Sequence, residues 1–323
     1  MISPPASPEV IRDCISVAFP DLKIATAQIL SGGLLNTNIK IEFSSDRQPV
    51  VLRLYRQGRE VCQKESAVLR SIRSTVPVPE VIYVEPNGID GCGPFSILEF
   101  IKGQTFQWLK RTGDLESIYQ AAASVGQTLA RLGEYQFPKP GRLQIAGENE
   151  LTVGDAYMKG PDPIPRLLDQ FLESPCLQRR LYSGFQHKLH DFIWSWAAPL
   201  RTLNNQCRLV HCDFGSRNIL VDRVSGCWQV AAVLDWEFAL SGSSLLDVGH
   251  FLRYERRGIP LREPHFSRAF VESGGALPDD WRRLSQVVDL TGLVGCMTHE
   301  QLPDEIAIEI VGSINSTLTS CGL

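Results

Sequence analysis

The chain of 323 residues lacks the features that mark several common classes of protein. It has no run of about eighteen apolar residues, so the sequence predicts no membrane-spanning helix. Its net charge is -4, whereas a nucleic-acid-binding protein would usually carry a basic excess. The opening residues, Met1 to Pro5, lack the basic and apolar regions of a signal peptide. We therefore expect no membrane and no nucleic acid among its partners.

Paired cysteines and a phosphate-binding loop of the Walker type are also missing. The nine cysteines are odd in number, and no Cys-x-x-Cys occurs. A disulfide or zinc framework would need such spacing, so we expect free thiols in a reducing cytoplasm. No Gly-Lys-Ser or Gly-Lys-Thr sequence occurs, which excludes a Walker-type nucleotide site. The length and the ordinary apolar content predict a globular chain with room for two lobes.

The first hundred residues alternate between apolar and polar positions, a pattern typical of strands. One helix is predicted before the strands and one between the third and fourth of them. The expected strands are residues 24–30, 37–43, 49–55, 81–84 and 94–101, and the helices are 7–19 and 59–73. Strands grouped around a covering helix predict an antiparallel sheet, which we assign to an N-terminal lobe of residues 1–101.

Helical spacing of apolar residues dominates the remainder, residues 102–323. Residues 137–165 are rich in glycine and proline and predict an irregular insertion. The pattern indicates helices at residues 115–134, 164–172, 185–203, 244–254, 266–273, 281–298 and 304–318. The fold class is therefore α+β, with a small sheet-based lobe and a larger, mostly helical lobe.

The most informative stretch is a polar loop between two apolar runs. It contains His211-x-Asp213-x4-Asn218, and Asp235 follows after a second apolar run, Val230 to Leu234. Three oxygen-bearing side chains thus emerge from the ends of short predicted strands. Phosphoryl transfer needs such a set: one carboxylate to orient a hydroxyl, and an amide and a second carboxylate to hold Mg2+ against nucleotide phosphates.

This loop and the block Val233-Leu234-Asp235-Trp236-Glu237 resemble the aminoglycoside phosphotransferase and choline kinase group, small-molecule relatives of the protein kinases. The resemblance implies a two-lobed protein-kinase-like fold and transfer of the γ-phosphate of ATP, with Mg2+, to a hydroxyl of a small molecule. It assigns Asp213 as catalytic base, and Asn218 and Asp235 as metal ligands. It implies that His211 braces the loop, with direct catalysis as the alternative, and that Asp247 ties the next helix to it.

The same resemblance indicates where the nucleotide would bind. Arg53 stands where kinases carry a lysine on the third strand, and Glu65 in the following helix would be its ion-pair partner. Arg56 and Lys64 are the substitutes if the register differs. Glu237 has two open interpretations, a position near the metal or substrate, or a solvated or salt-bridged role.

Two backbone segments complete the predicted nucleotide site. The turn Ser31-Gly32-Gly33, continuing to Asn36, would cover the phosphates, although an ordinary hairpin would use the same residues. The carbonyl of Glu99 and the N–H of Ile101 would pair with adenine in a hinge between the lobes. Backbone contacts leave no side-chain pattern in a sequence, so these two positions follow from the resemblance.

Three departures from the family pattern keep other functions open. Cys212 replaces a usual glycine, Arg53 replaces lysine, and Gly242-Ser243-Ser244 replaces Gly-Asp-Pro. Cys212 and Arg53 favour the alternative of a catalytically inactive, kinase-like nucleotide-binding protein. Gly242-Ser243-Ser244 instead weakens any inference from the family to the substrate class. A hydrolase built on Asp213 and His211 would need a nucleophile in a recognisable elbow motif, which the sequence lacks.

The acceptor substrate is the least defined part of the prediction. We expect a small hydroxyl compound, and a cationic amine is one option because the C-terminal region is rich in carboxylates. Solvated helix faces are the alternative interpretation of those residues. The carboxylates in question are Asp279, Asp280, Asp289, Glu300, Asp304, Glu305 and Glu309.

Overall fold

The first third of the chain forms an antiparallel sheet of five strands, in the order β1-β2-β3-β5-β4. The computed structural model describes residues 7–30, 36–112, 114–147, 150–156, 158–253, 255 and 261–322. The strands are β1 (Ile24–Leu30), β2 (Thr37–Phe43), β3 (Val50–Leu54), β4 (Val81–Glu85) and β5 (Phe95–Glu99). All five predicted strands are confirmed to within two residues at their ends. The largest difference is at β5, which ends at Glu99 rather than at residue 101.

Two helices flank this sheet and belong to different cores. Helix α1 (Pro8–Ser16) is capped by Ser7, whose hydroxyl accepts a hydrogen bond from the Val10 N–H at 3.4 Å. Its buried side chains pack with the inward residues of β2, where the predicted alternation places Ile39 and Ile41 inside. Helix α2 (Arg59–Ile72) instead turns its apolar residues into the larger core of the helical lobe.

The rest of the chain is mostly helical and encloses that larger core. Its helices are α3 (Phe106–Arg111), α4 (Leu115–Leu132), α5 (Pro163–Leu172), α6 (Pro175–Arg180), α7 (Ser183–Ser195), α8 (Ala197–Leu200), α9 (Leu245–Leu252), α10 (His265–Glu272), α11 (Trp281–Val288), α12 (Leu290–Cys296) and α13 (Asp304–Ser320). A 3-10 turn, Arg201–Leu203, follows α8. The predicted α+β architecture is confirmed. No helix in the described ranges is both long and apolar enough to cross a membrane.

Two small sheets lie inside this helical part and carry the polar loops. One contains β6 (Gln104–Thr105), β10 (Ile219–Val224) and β11 (Cys227–Val233), in the order β11-β10-β6. The other contains β7 (Gly141–Ala146), β8 (Glu150–Val153), β9 (Arg208–Val210) and β12 (Leu240–Gly242), in the order β8-β7-β12-β9. The polar loop with Asp213 and Asn218 connects β9 to β10, and the polar turn with Asp235 connects β11 to β12.

The irregular insertion predicted at residues 137–165 is wrong in part, because Gly141–Ala146 and Glu150–Val153 pair as the β7–β8 hairpin. Strand β7 alternates as a strand should, with Leu143 buried and its neighbours Arg142 and Gln144 exposed. Glycine begins the strand because Gly141 has φ +152°, and its Cβ position lies 2.9 Å from the Asp155 carbonyl oxygen. The glycine and proline content marked the ends of a hairpin rather than the absence of one.

Two long helices predicted from periodicity are each divided in the structure. Residues 185–203 give α7, α8 and the 3-10 turn, and residues 281–298 give α11 and α12 with a break at Asp289. Asp289 is buried and forms a two-point ion pair with Arg253, at 2.8 and 2.9 Å. Tyr254, the predicted end of the helix now assigned as α9, lies outside the described residues.

Helices α4 and α10 approach so closely at Gly126 that a side chain there would meet backbone. An added Cβ would lie 2.3 Å from the Phe266 carbonyl oxygen and 2.9 Å from the Phe270 nitrogen. We expect Gly126→Ala to lower the free energy of unfolding by about 1–3 kcal/mol, measured by urea denaturation. Gly93→Ala is the control, since a Cβ there meets no atom within 4 Å. Equal effects of the two substitutions would contradict this account of the helix contact.

Candidate active site

The loop between β9 and β10 holds the predicted catalytic base and one predicted metal ligand in direct contact. The Asn218 amide nitrogen donates to Oδ2 of Asp213 at 2.7 Å and to the Asp213 carbonyl at 3.0 Å. Both donor hydrogens of the amide are therefore directed at Asp213, which turns the amide oxygen the other way. The five-residue spacing thus places the Asp213 carboxylate, which is held at Oδ2, next to the side-chain oxygen of Asn218.

The predicted brace of this loop is confirmed by its hydrogen bonds. Asp247 on α9 accepts the backbone N–H groups of His211 and Cys212, both at 2.8 Å. His211 is fully buried; its Nδ1 accepts the Asp213 N–H at 3.1 Å, and its Nε2 lies 2.8 Å from the Leu234 carbonyl. Since Nδ1 accepts, Nε2 must carry the proton and donate. Burial lowers the pKa of His211 to about 4, which keeps the ring neutral in this role.

The backbone conformation at Cys212 is one that favours glycine, the residue that the family pattern has at this position. Its φ is +66°, a left-handed conformation in which any side chain is strained. The Asp247 hydrogen bonds hold it there. Burial, followed by the charge of Asp247, raises the pKa of the Cys212 thiol well above its usual value. A thiol that stays protonated is a poor nucleophile, so a nucleophilic role for Cys212 is not supported.

The turn after β11 brings Asp235 to the same place. Strands β10 and β11 pair so that Ile219 faces Val233, and the Leu234 N–H donates to the Asn218 carbonyl at 2.8 Å. Asn218 and Asp235 are therefore neighbours across the end of one hairpin. Asp235 also has a left-handed backbone, with φ +64°. The buried Trp236 ring follows, with its centroid 4.5 Å from that of the His211 ring.

Arg53 lies at the centre of a buried cluster of charges that joins the sheet to this turn. Its Nε donates to Glu65 at 2.9 Å, as predicted, and its Nη1 donates to Asp235 at 2.5 Å. Glu237 lies 3.6 Å from Nη2. Burial opposes the charge of Arg53, but Glu65 and Asp235 outweigh burial and raise its pKa. Arg53 and Glu65 are both almost completely buried, so neither is a surface residue.

Glu65 and Glu237 extend this cluster to the backbone of the turn and to Asn36. The second oxygen of Glu65 accepts the Trp236 N–H at 2.9 Å. Glu237 accepts from the Asn36 amide nitrogen and from Gln57, and its carbonyl accepts from Lys64 at 2.5 Å. Burial raises the pKa of Glu237 to about 7, against the influence of Arg53. The salt-bridged interpretation of Glu237 is thus the one that its contacts favour.

The predicted nucleotide-covering turn is only partly described. Ser31, Gly32 and Gly33 lie outside the described residues, and Asn36 is buried against Glu237. Arg56, which the sequence offered as a substitute for Arg53, reaches Thr37 rather than the charge cluster.

The predicted hinge segment presents backbone rather than side chains. The Glu99 side chain faces away, with an oxygen 3.1 Å from both the Glu80 N–H and the Arg73 guanidinium. No described residue accepts a hydrogen bond from the Ile101 N–H. This segment is therefore suited to pair with the edge of a planar base.

The donor set at Asn218 and Asp235 fits a hard divalent cation. An amide oxygen and a carboxylate are oxygen ligands, which Mg2+ prefers. Among the described residues no group of three or more His, Cys, Asp or Glu side chains could hold a metal without help. Mg2+ usually keeps several waters and binds phosphates besides one or two carboxylates, so two protein ligands suffice.

The predicted carboxylate cluster in the C-terminal region does not form one site. Asp289 is buried against Arg253, and Asp280 lies 3.9 Å from Arg283. Glu300, Asp304 and Glu305 are exposed near the start of α13. Solvated or locally paired carboxylates are thus the better interpretation of this region.

One contact with Asp213 has no counterpart in the sequence analysis. His250 on α9 lies with Nε2 3.3 Å from Oδ1 of Asp213. The only signal in the sequence was its position three residues after Asp247, which places both side chains on one face of the helix.

The chain belongs to the phosphotransferase enzyme family, whose sequence profile matches residues 26–286. The predicted enzyme class, a phosphotransferase with an alcohol group as acceptor, is confirmed by this membership. No curated protein sequence matches this chain.

Solved structures of aminoglycoside phosphotransferases share its fold. A thermostable mutant of APH(4)-Ia, in ternary complex with ADP and hygromycin B, has a TM-score of 0.70 at 21% identity, covering 97% of this chain and 99% of that one. The GDP complex of wild-type aminoglycoside 2'-phosphotransferase-IIIa has a TM-score of 0.67 at 15% identity, covering 96% and 98%. At such identities the likeness establishes the fold, and the predicted two-lobed, kinase-like fold is confirmed.

The strained backbone at Cys212 gives a prediction that separates thiol chemistry from conformation. We expect Cys212→Gly to keep phosphoryl transfer and to lose no thermal stability, because glycine adopts φ +66° without strain. Cys212→Val should lower the free energy of unfolding by at least about 1 kcal/mol, since a β-branched residue suits this region poorly. Thermal unfolding and transfer from Mg-ATP are the measurements.

The control for Cys212 is Ser225, which has φ +51° in the exposed β10–β11 turn. Ser225→Val should lower stability without changing transfer. A folded Cys212→Gly protein that had lost transfer would show that the thiol itself is needed.

Proposed function

We propose that this protein is a small-molecule kinase that transfers the γ-phosphate of ATP, with Mg2+, to a hydroxyl group. The observation that carries the proposal is the meeting of Asp213, Asn218 and Asp235 at the ends of two paired strands, beside the Arg53 cluster. Scattered positions for these side chains would have left no place for a triphosphate next to a base. We assign residues 1–101 to the nucleotide-binding lobe and residues 102–323 to the lobe with the catalytic loop and acceptor site.

Asp213 is the proposed catalytic base. It would accept a hydrogen bond from the acceptor hydroxyl and take its proton late, because the transition state of phosphoryl transfer is loose. Burial raises the pKa of Asp213 to about 6, and the Asn218 hydrogen bond opposes that rise. A carboxylate with this pKa is ionised at neutral pH and still basic enough to take a proton.

Asn218 and Asp235 would hold Mg2+, which when bound shields the phosphate charges and orients the terminal phosphate. The Arg53 cluster supports this assignment, because Asp235 is the most exposed of the three carboxylates around the guanidinium and is the one open to a cation. Arg53 itself would contact phosphate oxygens, to which a planar guanidinium can bind at two points. Glu65 would keep Arg53 in place when Asp235 turns to the cation.

The remaining nucleotide contacts are assigned to backbone. Glu99 through its carbonyl and Ile101 through its N–H would pair with adenine, while Ser31, Gly32, Gly33 and Asn36 would cover the phosphates. The solved relatives hold adenine nucleotides in one case and GDP in another. A comparison of Mg-ATP with Mg-GTP therefore belongs in the first assay.

The acceptor is proposed to be a compound rich in hydroxyl groups, such as a sugar or an amino alcohol. Relatives bind hygromycin B or kanamycin, which are aminoglycosides. The carboxylates of the C-terminal region do not form a common amine site here. Cationic and uncharged acceptors should therefore both be tested. The test is product formation from Mg-ATP or Mg-GTP across sugars, amino alcohols and aminoglycosides in a cytoplasm-like reducing buffer.

Removing the base should stop transfer and spare nucleotide binding. We expect Asp213→Ala to lower kcat by about 10²–10⁴-fold with an unchanged Kd for the nucleotide. Asp222→Ala is the matched control, because Asp222 is exposed on β10 and bonds only its neighbour's N–H. Turnover unchanged in Asp213→Ala would overturn the assignment of the base.

Removing the Asp235 carboxylate, the charged metal ligand, should instead impair nucleotide binding. We expect Asp235→Ala to abolish the Mg2+-dependence of nucleotide binding, since a single amide oxygen cannot hold the cation. Calorimetric titration of ATP with and without Mg2+ measures this. Metal-independent binding by the unchanged protein, with no transfer to any acceptor, would favour the inactive nucleotide-binding alternative.

A further inference from the structure

His250 is a titratable side chain that touches the proposed catalytic base and has no part in the scheme above. Its Nε2 lies 3.3 Å from Oδ1 of Asp213, and the imidazole is largely shielded from solvent. Asn218 donates to the other oxygen, Oδ2, at 2.7 Å. The two oxygens of the Asp213 carboxylate are therefore approached from different sides by different groups.

Helix α9 supplies both His250 and the residue that fixes the loop backbone. Asp247 and His250 are three residues apart, so they lie on one face of the helix. Asp247 accepts the N–H groups of His211 and Cys212, while His250 reaches the Asp213 side chain one residue further on. One rigid face thus sets the loop backbone and approaches the carboxylate at the end of that loop.

The loop leaves room for this approach at Gly215. A Cβ on Gly215 would lie 3.0 Å from His250 Nε2 and 3.3 Å from its Cδ2. Any side chain at residue 215 would therefore press on the ring edge that faces Asp213. Glycine at position 215 leaves room for the His250 ring, and its backbone is not in the left-handed region.

The ring is suited to donate a hydrogen bond without carrying a charge. Burial, and next the neighbouring Arg253, lower the pKa of His250 to about 3. A neutral imidazole can keep a proton on Nε2, which at 3.3 Å is within reach of Oδ1 although the two groups are not aligned as a hydrogen bond in this conformation. Hydrogen bonds to a charged acceptor are stronger than those between neutral groups.

We propose that His250 is a positioning residue for phosphoryl transfer, which holds Oδ1 of Asp213 so that the carboxylate faces the acceptor hydroxyl. It does not touch the reacting atoms. The Asn218 amide donates to Oδ2. A hydrogen bond from His250 to Oδ1, completed when nucleotide and acceptor are bound, would keep the carboxylate plane facing the acceptor. This inference rests on the proposed function, because it gives His250 a role only if Asp213 is the base.

The test compares three residues at position 250 in the full-length protein. Transfer of the γ-phosphate to water from saturating Mg-ATP is the assay, since it needs no identified acceptor. We expect His250→Leu to lower kcat by about 10- to 100-fold, with an unchanged KM for Mg-ATP, because a charge-assisted hydrogen bond is lost. His250→Gln should recover most of the rate, because its amide nitrogen can reach the position of Nε2.

His265 provides the matched control. It stacks on Tyr119 with ring centroids 4.1 Å apart, at the start of α10 and away from the loop. His265→Leu should leave both kcat and KM unchanged. If His250→Gln is as slow as His250→Leu while both remain folded by thermal unfolding, the hydrogen-bond role is wrong and His250 only fills space.

Gly215→Ala gives an independent measurement through the same contact. It should slow transfer in the unchanged protein and have no further effect in the His250→Leu background, where the ring is gone. Additive losses would overturn the proposal. If Asp213→Ala itself leaves transfer to water unchanged, the proposed function fails first; a large loss there with a normal His250→Leu rejects this inference alone.

Discussion

The Arg53 guanidinium holds together the parts of the site that come from different regions of the chain. It is ion-paired with Glu65 on α2 and with Asp235 after β11, and Glu237 lies nearby. Removing one partner of a buried ion pair costs about 3–5 kcal/mol, because a charge is left without compensation. The same contacts fix Asp235, the most exposed of the three carboxylates. The stability of the fold and the placement of the proposed metal ligand thus depend on one group.

The polar loops are built from strained backbone supported by a few strong hydrogen bonds. Cys212 and Asp235 both occupy left-handed conformations that cost about 1–2 kcal/mol each in ordinary surroundings. Asp247 offsets the first through two bonds to backbone, and Glu65 supports the second through the Trp236 N–H. Each supporting carboxylate comes from a helix, so α2 and α9 add to the rigidity that His211 and Asn218 supply within the loop.

The sequence predicted the parts of the site whose geometry follows from local spacing. Asp213 and Asn218 are five residues apart in one loop, and Asp235 joins them because β10 and β11 pair as a hairpin. The Arg53–Glu65 pair followed from the resemblance to kinases, which places a basic residue on the third strand and its carboxylate partner in the next helix. The β7–β8 hairpin was missed because its glycines and prolines outweighed a short alternation. His250 was missed because its role depends on where α9 packs, which no local pattern records.

The departure of Gly242-Ser243-Ser244 from the family pattern affects the start of helix α9. The Ser243 hydroxyl accepts the Leu245 N–H at 3.3 Å, so it supports the start of α9 in the way a carboxylate could. Asp247 reaches the His211 and Cys212 N–H groups from this helix at 2.8 Å. The loop geometry therefore tolerates the serines. The proposed base and metal ligands stand outside this segment and keep their contacts, so the departure leaves the proposed transfer chemistry intact.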